Sequence, residues 1–146
     1  MDLYTMGFTQ KSAEQFFNLI KKNDIELLID VRLNNQSQLA GFTKGRDLKF
    51  FLEKICDCRY VHEEMFAPTK DVLSDYKKKL ISWADYVIKF DSLLQKRPIE
   101  KLFLKHTDGY NRVLLLCSEP TPECCHRRLL AEYLAKNIPD ITIKHI

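Results

Sequence analysis

One short segment near the end of the chain concentrates side chains that can carry out nucleophilic and acid–base chemistry. Residues 117–128 read Cys-Ser-Glu-Pro-Thr-Pro-Glu-Cys-Cys-His-Arg-Arg. Cysteine is the strongest nucleophile among these residue types, and a neighbouring histidine can move its proton. We therefore take Cys117 as a candidate nucleophile or redox thiol, His126 as its acid/base partner, Cys125 as a second thiol and Glu119 as a general base.

The same segment is predicted to run from a buried strand into the first turn of a helix. A helix start presents unpaired N–H groups and a positive dipole end, which lower a thiol pKa and bind anions. Three cationic side chains, His126, Arg127 and Arg128, are unfavourable there unless an anion is bound, so Arg127 is a candidate anion ligand. Helical spacing directs Cys125 and His126 toward the sheet and Arg128 toward solvent.

A second candidate pair follows an apolar run at residues 25–31. Asp30 and Arg32 are two residues apart, so on a strand both point to the same face. The guanidinium fork of Arg32 suits a carboxylate or a phosphate, which makes both residues candidates for substrate binding. A structural ion pair between them is the alternative.

The elements that position these residues alternate along the chain as in an α/β domain. Apolar runs predict strands near residues 3–6, 25–31, 59–62, 113–117 and 141–146. Amphipathic spacing predicts helices between them, including a helical insertion in the middle of the chain. We expect one three-layer α/β domain over residues 1–146, with a mainly parallel sheet of about four or five strands flanked by helices. Ligands bind beyond the carboxyl ends of such strands, where all the candidate residues lie.

Composition narrows the partners and the compartment. The 146 residues carry 23 Lys and Arg against 20 Asp and Glu, a net charge of +3 that does not by itself indicate nucleic acid. No apolar run approaches the roughly 18 residues of a membrane span, so we expect no membrane association. The five cysteines are an odd number and follow no secretory leader, which favours reduced thiols in the cytoplasm. Oligomeric state leaves no mark on the sequence.

The spacing of the cysteines argues against two other kinds of cysteine site. A cysteine-phosphatase loop needs an arginine six residues after the cysteine, and that position holds Glu123. Cys117, Cys125, His126 and His62 could form a tetrahedral zinc set, but adjacent Cys125 and His126 rarely bind one ion and the chain has no Cys-x-x-Cys pair. We expect no metal and no cofactor.

The chain also resembles a known family, the domain of unknown function 488. The resemblance rests on Leu-Tyr-Thr-Met-Gly-Phe-Thr at residues 3–9, Leu-Ile-Asp-Val-Arg at 28–32, Ser37 with Gly41-Phe42, and the Cys-Ser-Glu…Cys-His-Arg motif at 117–127. It implies an α/β fold with a shared rim and adds Ser37 to the substrate-binding residues, but it implies no particular reaction. Gln38 stands where the family pattern has arginine, and residues 64–68 replace its usual Gly-rich turn.

Three functional hypotheses follow. The leading one is a cysteine-dependent enzyme acting on a small anionic substrate that bears phosphate or carboxylate. The second is a nucleic-acid-binding module with a repair- or defence-related role and no turnover, to which the exposed run Lys77-Lys78-Lys79 could contribute together with Lys44, Arg46, Lys49 and Phe50. The third is that the cysteines are purely structural.

Overall fold

The computed structural model describes residues 1–36 and 40–146. Its centre is a parallel sheet with the strand order β3-β2-β4-β1-β5. The five strands are β1 (Asp2–Gly7), β2 (Leu27–Asp30), β3 (Arg59–His62), β4 (Arg112–Cys117) and β5 (Thr142–His145). The predicted α/β class and parallel sheet are confirmed.

Helices in the described part of the chain cover both faces of this sheet. They are α1 (Ala13–Lys22), α2 (Gly45–Phe51), α3 (Lys70–Lys77), α4 (Trp83–Lys96), α5 (Ile99–Thr107) and α6 (His126–Asn137). Short 3₁₀ turns at Gly41–Thr43 and Glu64–Phe66 and a π-helical turn at Leu52–Cys56 complete the helical structure. Helices α3, α4 and α5 all lie between β3 and β4, so the predicted helical insertion is present.

Local sequence signals explain where several of these helices begin. Ser12 and Gln15 form a capping box at the start of α1, and Ser82 forms another with Asp85 at the start of α4. Pro98, which has no N–H to leave unpaired, precedes α5. Each signal satisfies or removes a backbone donor that a helix start leaves without a partner.

Helix α2 begins earlier than the capping preference of its residues indicates. Asp47 is the side chain in this region best suited to cap α2, yet the helix begins at Gly45 and Asp47 lies in its first turn. The Gly45 N–H donates to the carbonyl oxygen of Asn35 at 2.7 Å. This contact with the preceding loop fixes the start of the helix two residues earlier than the capping preference does.

The strands alternate between two apolar layers. On one face, Val113, Leu115 and Cys117 of β4 pack with α4, α5 and α6. On the other face, Leu114 and Leu116 pack with α1 and α2. Burial on both faces explains why the central strands are continuously apolar, and it confirms the three-layer architecture.

The connections after β2 and β4 leave the sheet on opposite faces. The chain after β2 continues into α2 on one face, whereas the chain after β4 continues into α6 on the other. Such a divergence between neighbouring strands opens a crevice at their carboxyl ends, which is where α/β sheets bind ligands. The candidate residues after β2 and β4 flank this crevice.

Candidate functional site

A cavity of about 250 Å³ occupies the crevice between the ends of β2 and β4. Its lining comprises Arg32, Leu33, Asn34, Leu73, Tyr76, Lys77, Tyr86, Cys117, Ser118, Glu119, Cys124, Cys125 and His126. A wider groove of about 630 Å³ lies between α1 and the loop at Pro120, but it has no cysteine, histidine or carboxylate in its wall. The smaller cavity is therefore the one whose walls carry side chains capable of catalysis.

The most reactive arrangement in the cavity joins Cys117 to His126. The Cys117 Sγ atom lies 3.6 Å from His126 Nδ1, and both residues are buried. His126 Nε2 is 2.7 Å from the carbonyl oxygen of Val31. Because a carbonyl oxygen only accepts, Nε2 carries the hydrogen of this contact. Nδ1 is then the basic nitrogen of the ring, and it is the nearer one to the sulfur, which lies 3.9 Å from Nε2. The strand end of β2 thus orients a base for the thiol at the end of β4.

Local contacts favour the thiolate form of Cys117. A hydrogen bond from the Cys125 thiol is the largest influence holding the pKa of Cys117 below its usual value. Burial opposes this effect, while the N–H groups of Ser118 and Glu119 and the charge of Arg127 reinforce it. The pKa of Cys125 moves the opposite way, raised by its hydrogen bond to Cys117 and by burial. The hydrogen bond between the two thiols therefore favours the thiolate at Cys117 and the protonated thiol at Cys125.

Arg127 supplies a buried positive charge behind the thiol. Its side chain is 1% exposed; Nη1 donates to the carbonyl oxygen of Glu119 at 2.6 Å and Nε donates to Thr5 Oγ1 at 3.4 Å. Among the described residues, no carboxylate lies within 4 Å of this guanidinium. A buried charge requires compensation, and this charge lowers the pKa of the nearby Cys117 thiol, which favours a thiolate there.

Gly7 makes room for this arrangement. It pairs with Cys117 across β1 and β4, and a Cβ atom at Gly7 would lie 1.5 Å from the Glu119 carbonyl oxygen and 3.0 Å from Arg127 Nη1. No side chain is compatible with a backbone atom at that distance. Gly7, at the end of β1, therefore leaves space for the loop after β4 and for the guanidinium.

Asp30 and Arg32 form a closed network on the neighbouring strand. Arg32 Nε and Nη2 donate to the two carboxylate oxygens of Asp30 at 2.9 and 2.7 Å, and Nη2 also donates to the Thr43 carbonyl oxygen at 2.6 Å. The Tyr60 hydroxyl donates to Asp30 at 2.7 Å, and the Arg32 guanidinium lies over the ring of Phe8. Asp30 is 0% exposed and Arg32 is 3% exposed. This pair has the geometry of the structural alternative, although Arg32 still reaches the cavity wall.

Two clusters of residues lie at this edge of the sheet. The thiol cluster comprises Cys117, Cys125 and His126, whose ligand atoms all lie within 4.8 Å of one another. The ion-pair cluster comprises Asp30, Arg32, Thr43 and Tyr60.

The remaining predicted site residues have different positions. Glu119 is exposed and lines the cavity, whereas Arg127 and Asp30 pack behind its wall. Ser37 lies outside the described residues. His62, at the end of β3, makes a 2.6 Å hydrogen bond with the Arg32 carbonyl oxygen through Nε2, and it does not belong to the thiol cluster. Arg128 is partly exposed and pairs with Glu132 at 3.0 Å, as its helical spacing predicts.

Sequence reasoning missed most of the cavity wall. Tyr76 and Tyr86 have the spacing of ordinary core positions on α3 and α4, and nothing local distinguishes them from other aromatic residues of those helices. Leu33 and Asn34 belong to a loop without regular periodicity. The Val31 carbonyl that orients His126 is a backbone atom, so no residue type could have indicated it.

Fold and site together define a class: a parallel α/β domain whose cavity, at the carboxyl edge of the sheet, holds a buried Cys–Cys–His cluster. The family comparison agrees with this description. The model of the family described as Domain of unknown function DUF488 matches residues 12–134, and the chain belongs to that family. The match confirms the resemblance found in the sequence.

No curated protein and no solved structure matches the chain. Over residues 1–36 and 40–146, no helix has both the length and the apolar character needed to cross a membrane.

Proposed function

We propose that the protein is a cysteine-dependent enzyme that acts on a small anionic substrate, bearing phosphate or carboxylate, in the cytoplasm. The observation that carries this proposal is the contact between Cys117 Sγ and His126 Nδ1 at 3.6 Å, with Nε2 held by the Val31 carbonyl. A thiol, a base and a group that orients the base are the three parts of an activated nucleophile. The reducing cytoplasm keeps such a thiol in its reactive form.

The geometry supports a two-step reaction. In the first step, the Cys117 proton moves to His126 Nδ1, the thiolate attacks the electrophilic centre of the substrate, and the leaving group departs with the proton from the imidazolium. In the second step, water attacks the thiol-linked intermediate while the exposed Glu119 carboxylate accepts a proton from it. The carbon–sulfur or phosphorus–sulfur bond then breaks, and the proton returns to Cys117.

The charges around the cavity support an anionic substrate. Arg127 lies close enough to Cys117 to lower the pKa of its thiol, and Arg32 and Lys77 line the cavity. Glu119 is the only acidic side chain in the lining. The ion pair to Asp30 partly neutralises Arg32, so Arg127 is the cation that acts most strongly on the sulfur.

Alkylation experiments test both the reactive cysteine and the preference for an anionic substrate. We expect iodoacetamide, followed by peptide mass spectrometry, to modify Cys117 faster than it modifies a free thiol, and the fast reaction to disappear in Cys117→Ser. Cys124→Ser, which removes the exposed neighbouring thiol, is the matched control. Five uniformly slow thiols would refute the cysteine-dependent mechanism.

Comparison with the anionic reagent iodoacetate isolates the charge preference. If the cavity favours anions, the ratio of iodoacetate to iodoacetamide rates is higher at Cys117 than for a small-molecule thiol in the same buffer. A ratio equal to or below that reference would leave the reactive thiol intact but would contradict the anionic substrate.

A second candidate function is nucleic-acid binding without turnover. The specific observation is the exposed run Lys77-Lys78-Lys79 beside the half-buried rings of Tyr76 and Trp83, whose centroids are 5.6 Å apart. Lysines that track a backbone and aromatic rings that stack on bases are the usual components of single-strand binding. Lys44, Arg46 and Lys49 lie in or beside α2, on the opposite face of the sheet, so they do not extend this surface.

Salt titration distinguishes this candidate. The affinity for a single-stranded oligonucleotide should fall steeply with added salt, and the slope should become shallower in Lys77→Gln/Lys79→Gln. Lys101→Gln, an exposed lysine on α5, serves as the control. Absence of measurable binding at low salt would eliminate the candidate.

A further inference from the structure

The thiol cluster has a second chemical capability that the proposed reaction does not use. Its two sulfur atoms and a ring nitrogen of His126 lie within 4.8 Å of one another, and all three residues are buried. In the described part of the chain, this is the only group of three His, Cys, Asp or Glu residues with atoms close enough to share a metal ion. The sequence argued against such a site because Cys125 and His126 are adjacent. The fold nevertheless directs both side chains toward Cys117.

We propose that Cys117, Cys125 and His126 form a binding site for a thiophilic divalent cation, with Zn²⁺ as the favoured ion. Two thiolates and one imidazole select zinc over magnesium or calcium, which prefer oxygen ligands. The cavity leaves the fourth position open. Three protein ligands with one open position is the arrangement of zinc sites at which a water molecule or a substrate binds the metal.

The observed distances are compatible with tetrahedral coordination. Ordinary zinc–sulfur and zinc–nitrogen bond lengths place a sulfur and a nitrogen ligand about 3.6 Å apart in a tetrahedron. Cys117 Sγ and His126 Nδ1 are separated by 3.6 Å. The same geometry requires about 3.8 Å between two sulfurs, and the three ligand atoms lie within 4.8 Å of one another. Because the Cys117 sulfur is also 3.9 Å from Nε2, closing the set requires the cysteine side chains to rotate toward Nδ1.

The surroundings of His126 support the same conclusion. A metal-binding histidine usually donates its other ring N–H to a carboxylate or a backbone carbonyl, which fixes the tautomer and the ring plane. The Val31 carbonyl accepts from Nε2 at 2.7 Å and leaves Nδ1 facing the sulfurs. The ring is further held edge-on by Phe90, with 5.6 Å between the ring centroids. The nitrogen ligand is therefore oriented before any ion binds.

Charge predicts the nature of the fourth ligand. A divalent ion and two thiolates are neutral together, which leaves the nearby Arg127 without a counter-charge. An anionic fourth ligand compensates it, and Glu119 lines the same cavity. The carboxylate or phosphate of a bound substrate could occupy the same position.

Metal binding and nucleophilic attack compete for one sulfur atom. A zinc-bound Cys117 shares its negative charge with the ion and is a weaker nucleophile, so the ion protects the thiol and inhibits the proposed reaction. The existence of the metal site does not rest on the proposed function. Only its inhibitory consequence does.

Cobalt substitution tests the site without any assay of activity. Reduced protein, freed of metal with a chelator and then dialysed, is titrated with Co²⁺ while its absorption spectrum is recorded. We expect a thiolate-to-cobalt charge-transfer band that saturates at one equivalent and is displaced by Zn²⁺. Cys117→Ser, Cys125→Ser and His126→Asn should each weaken binding by more than about tenfold, since even changes outside the first ligand shell have effects of that size.

Matched measurements make the outcome decisive. Cys124→Ser, next to the site but exposed, should bind Co²⁺ as the unmodified chain does, and circular dichroism identifies any variant that fails to fold. Absence of the charge-transfer band, or a band that persists in both folded cysteine-cluster variants, would overturn the proposal.

Zinc protection of Cys117 against iodoacetamide links the metal site to the proposed function. Fast alkylation that Zn²⁺ suppresses supports both proposals. Fast alkylation without cobalt binding overturns the metal site alone, and cobalt bound through thiolates with slow alkylation overturns the enzyme mechanism alone.

Discussion

The thiol cluster and the ion-pair cluster lie on neighbouring strands at the same edge of the sheet. They differ in whether their atoms remain available to react. In the ion-pair cluster, both oxygens of Asp30 accept from Arg32, and Tyr60 and Thr43 add further hydrogen bonds. In the thiol cluster, the Cys117 sulfur lies 3.6 Å from His126 Nδ1 and lines an open cavity. Both clusters are buried and polar, so burial alone does not identify a reactive site. A reactive site is identified by an atom that keeps free bonding capacity and is open to a substrate.

The largest expected effect comes from breaking the ion-pair cluster. Asp30→Ala leaves the Arg32 charge buried without a partner and removes the acceptor of the Tyr60 hydroxyl. We expect a loss of about 3–5 kcal/mol in the free energy of unfolding, measured by urea denaturation. The double variant Asp30→Ala/Arg32→Met removes both charges and should lose less. A loss below about 1 kcal/mol in the single variant would show that this network does not hold the strand ends together.

A smaller loss is expected where β1 supports the thiol cluster. In Gly7→Ala, the new methyl group would overlap the Glu119 carbonyl and displace the loop after Cys117. Overpacking of this kind costs about 1–3 kcal/mol, and the alkylation rate of Cys117 should fall with it. Gly41→Ala is the matched control because a Cβ there meets no atom within 4 Å. Equal effects of the two substitutions would contradict the role given to Gly7.

The pH dependence of alkylation distinguishes the two kinds of buried thiol. The hydrogen bond from Cys125, the neighbouring N–H groups and Arg127 lower the pKa of Cys117 despite its burial. Burial raises the pKa of Cys58 to about 12. The thiolate is the reactive form, so the Cys117 rate should reach half its maximum below the value of about 8.5 for an unperturbed thiol.

Cys58 provides the internal reference for that profile. It should remain unreactive across the same range of pH, because its thiol stays protonated. An inflection for Cys117 at or above that of a free thiol would remove the electrostatic distinction between Cys117 and Cys58.

The smallest effect is expected at Cys124. Its side chain is exposed and borders the cavity without belonging to the thiol cluster. Cys124→Ser should change the free energy of unfolding by less than about 0.5 kcal/mol, the usual range for surface substitutions. It should also leave Cys117 alkylation unchanged. A marked slowing would require the boundary of the thiol cluster to be extended to this residue.

The fold was accessible from the sequence because its signals are local. Continuous apolar runs predict β2 and β4, since both faces of these strands are covered by helices. The Ser12 capping box and the spacing of Phe16 and Ile20 predict α1. Capping and periodicity involve residues within one or two turns, so they remain legible without knowledge of the rest of the chain.

The site was accessible only in part. The convergence of the residues after β2 and β4 on one edge follows from a parallel sheet, and the structure brings Cys117, His126 and Arg32 to one cavity. Arg127 was expected to bind an anion directly, a prediction that stays open, yet its guanidinium donates to Glu119 and Thr5 behind the cavity wall. That position depends on the absence of a side chain at Gly7, which is distant from Arg127 in sequence.

The sequence by itself determined the architecture and the residue types at the carboxyl edge, because hydrophobic periodicity and strand ends are local properties of the chain. Only the tertiary structure decided what those residues do. The pairing of β4 with β2 brought the Val31 carbonyl to His126 and so set its tautomer. The pairing of β4 with β1 set Gly7 beside Cys117 and opened the space for Arg127. Contacts between segments a hundred residues apart carry no local signature. These contacts decide whether a buried thiol is reactive.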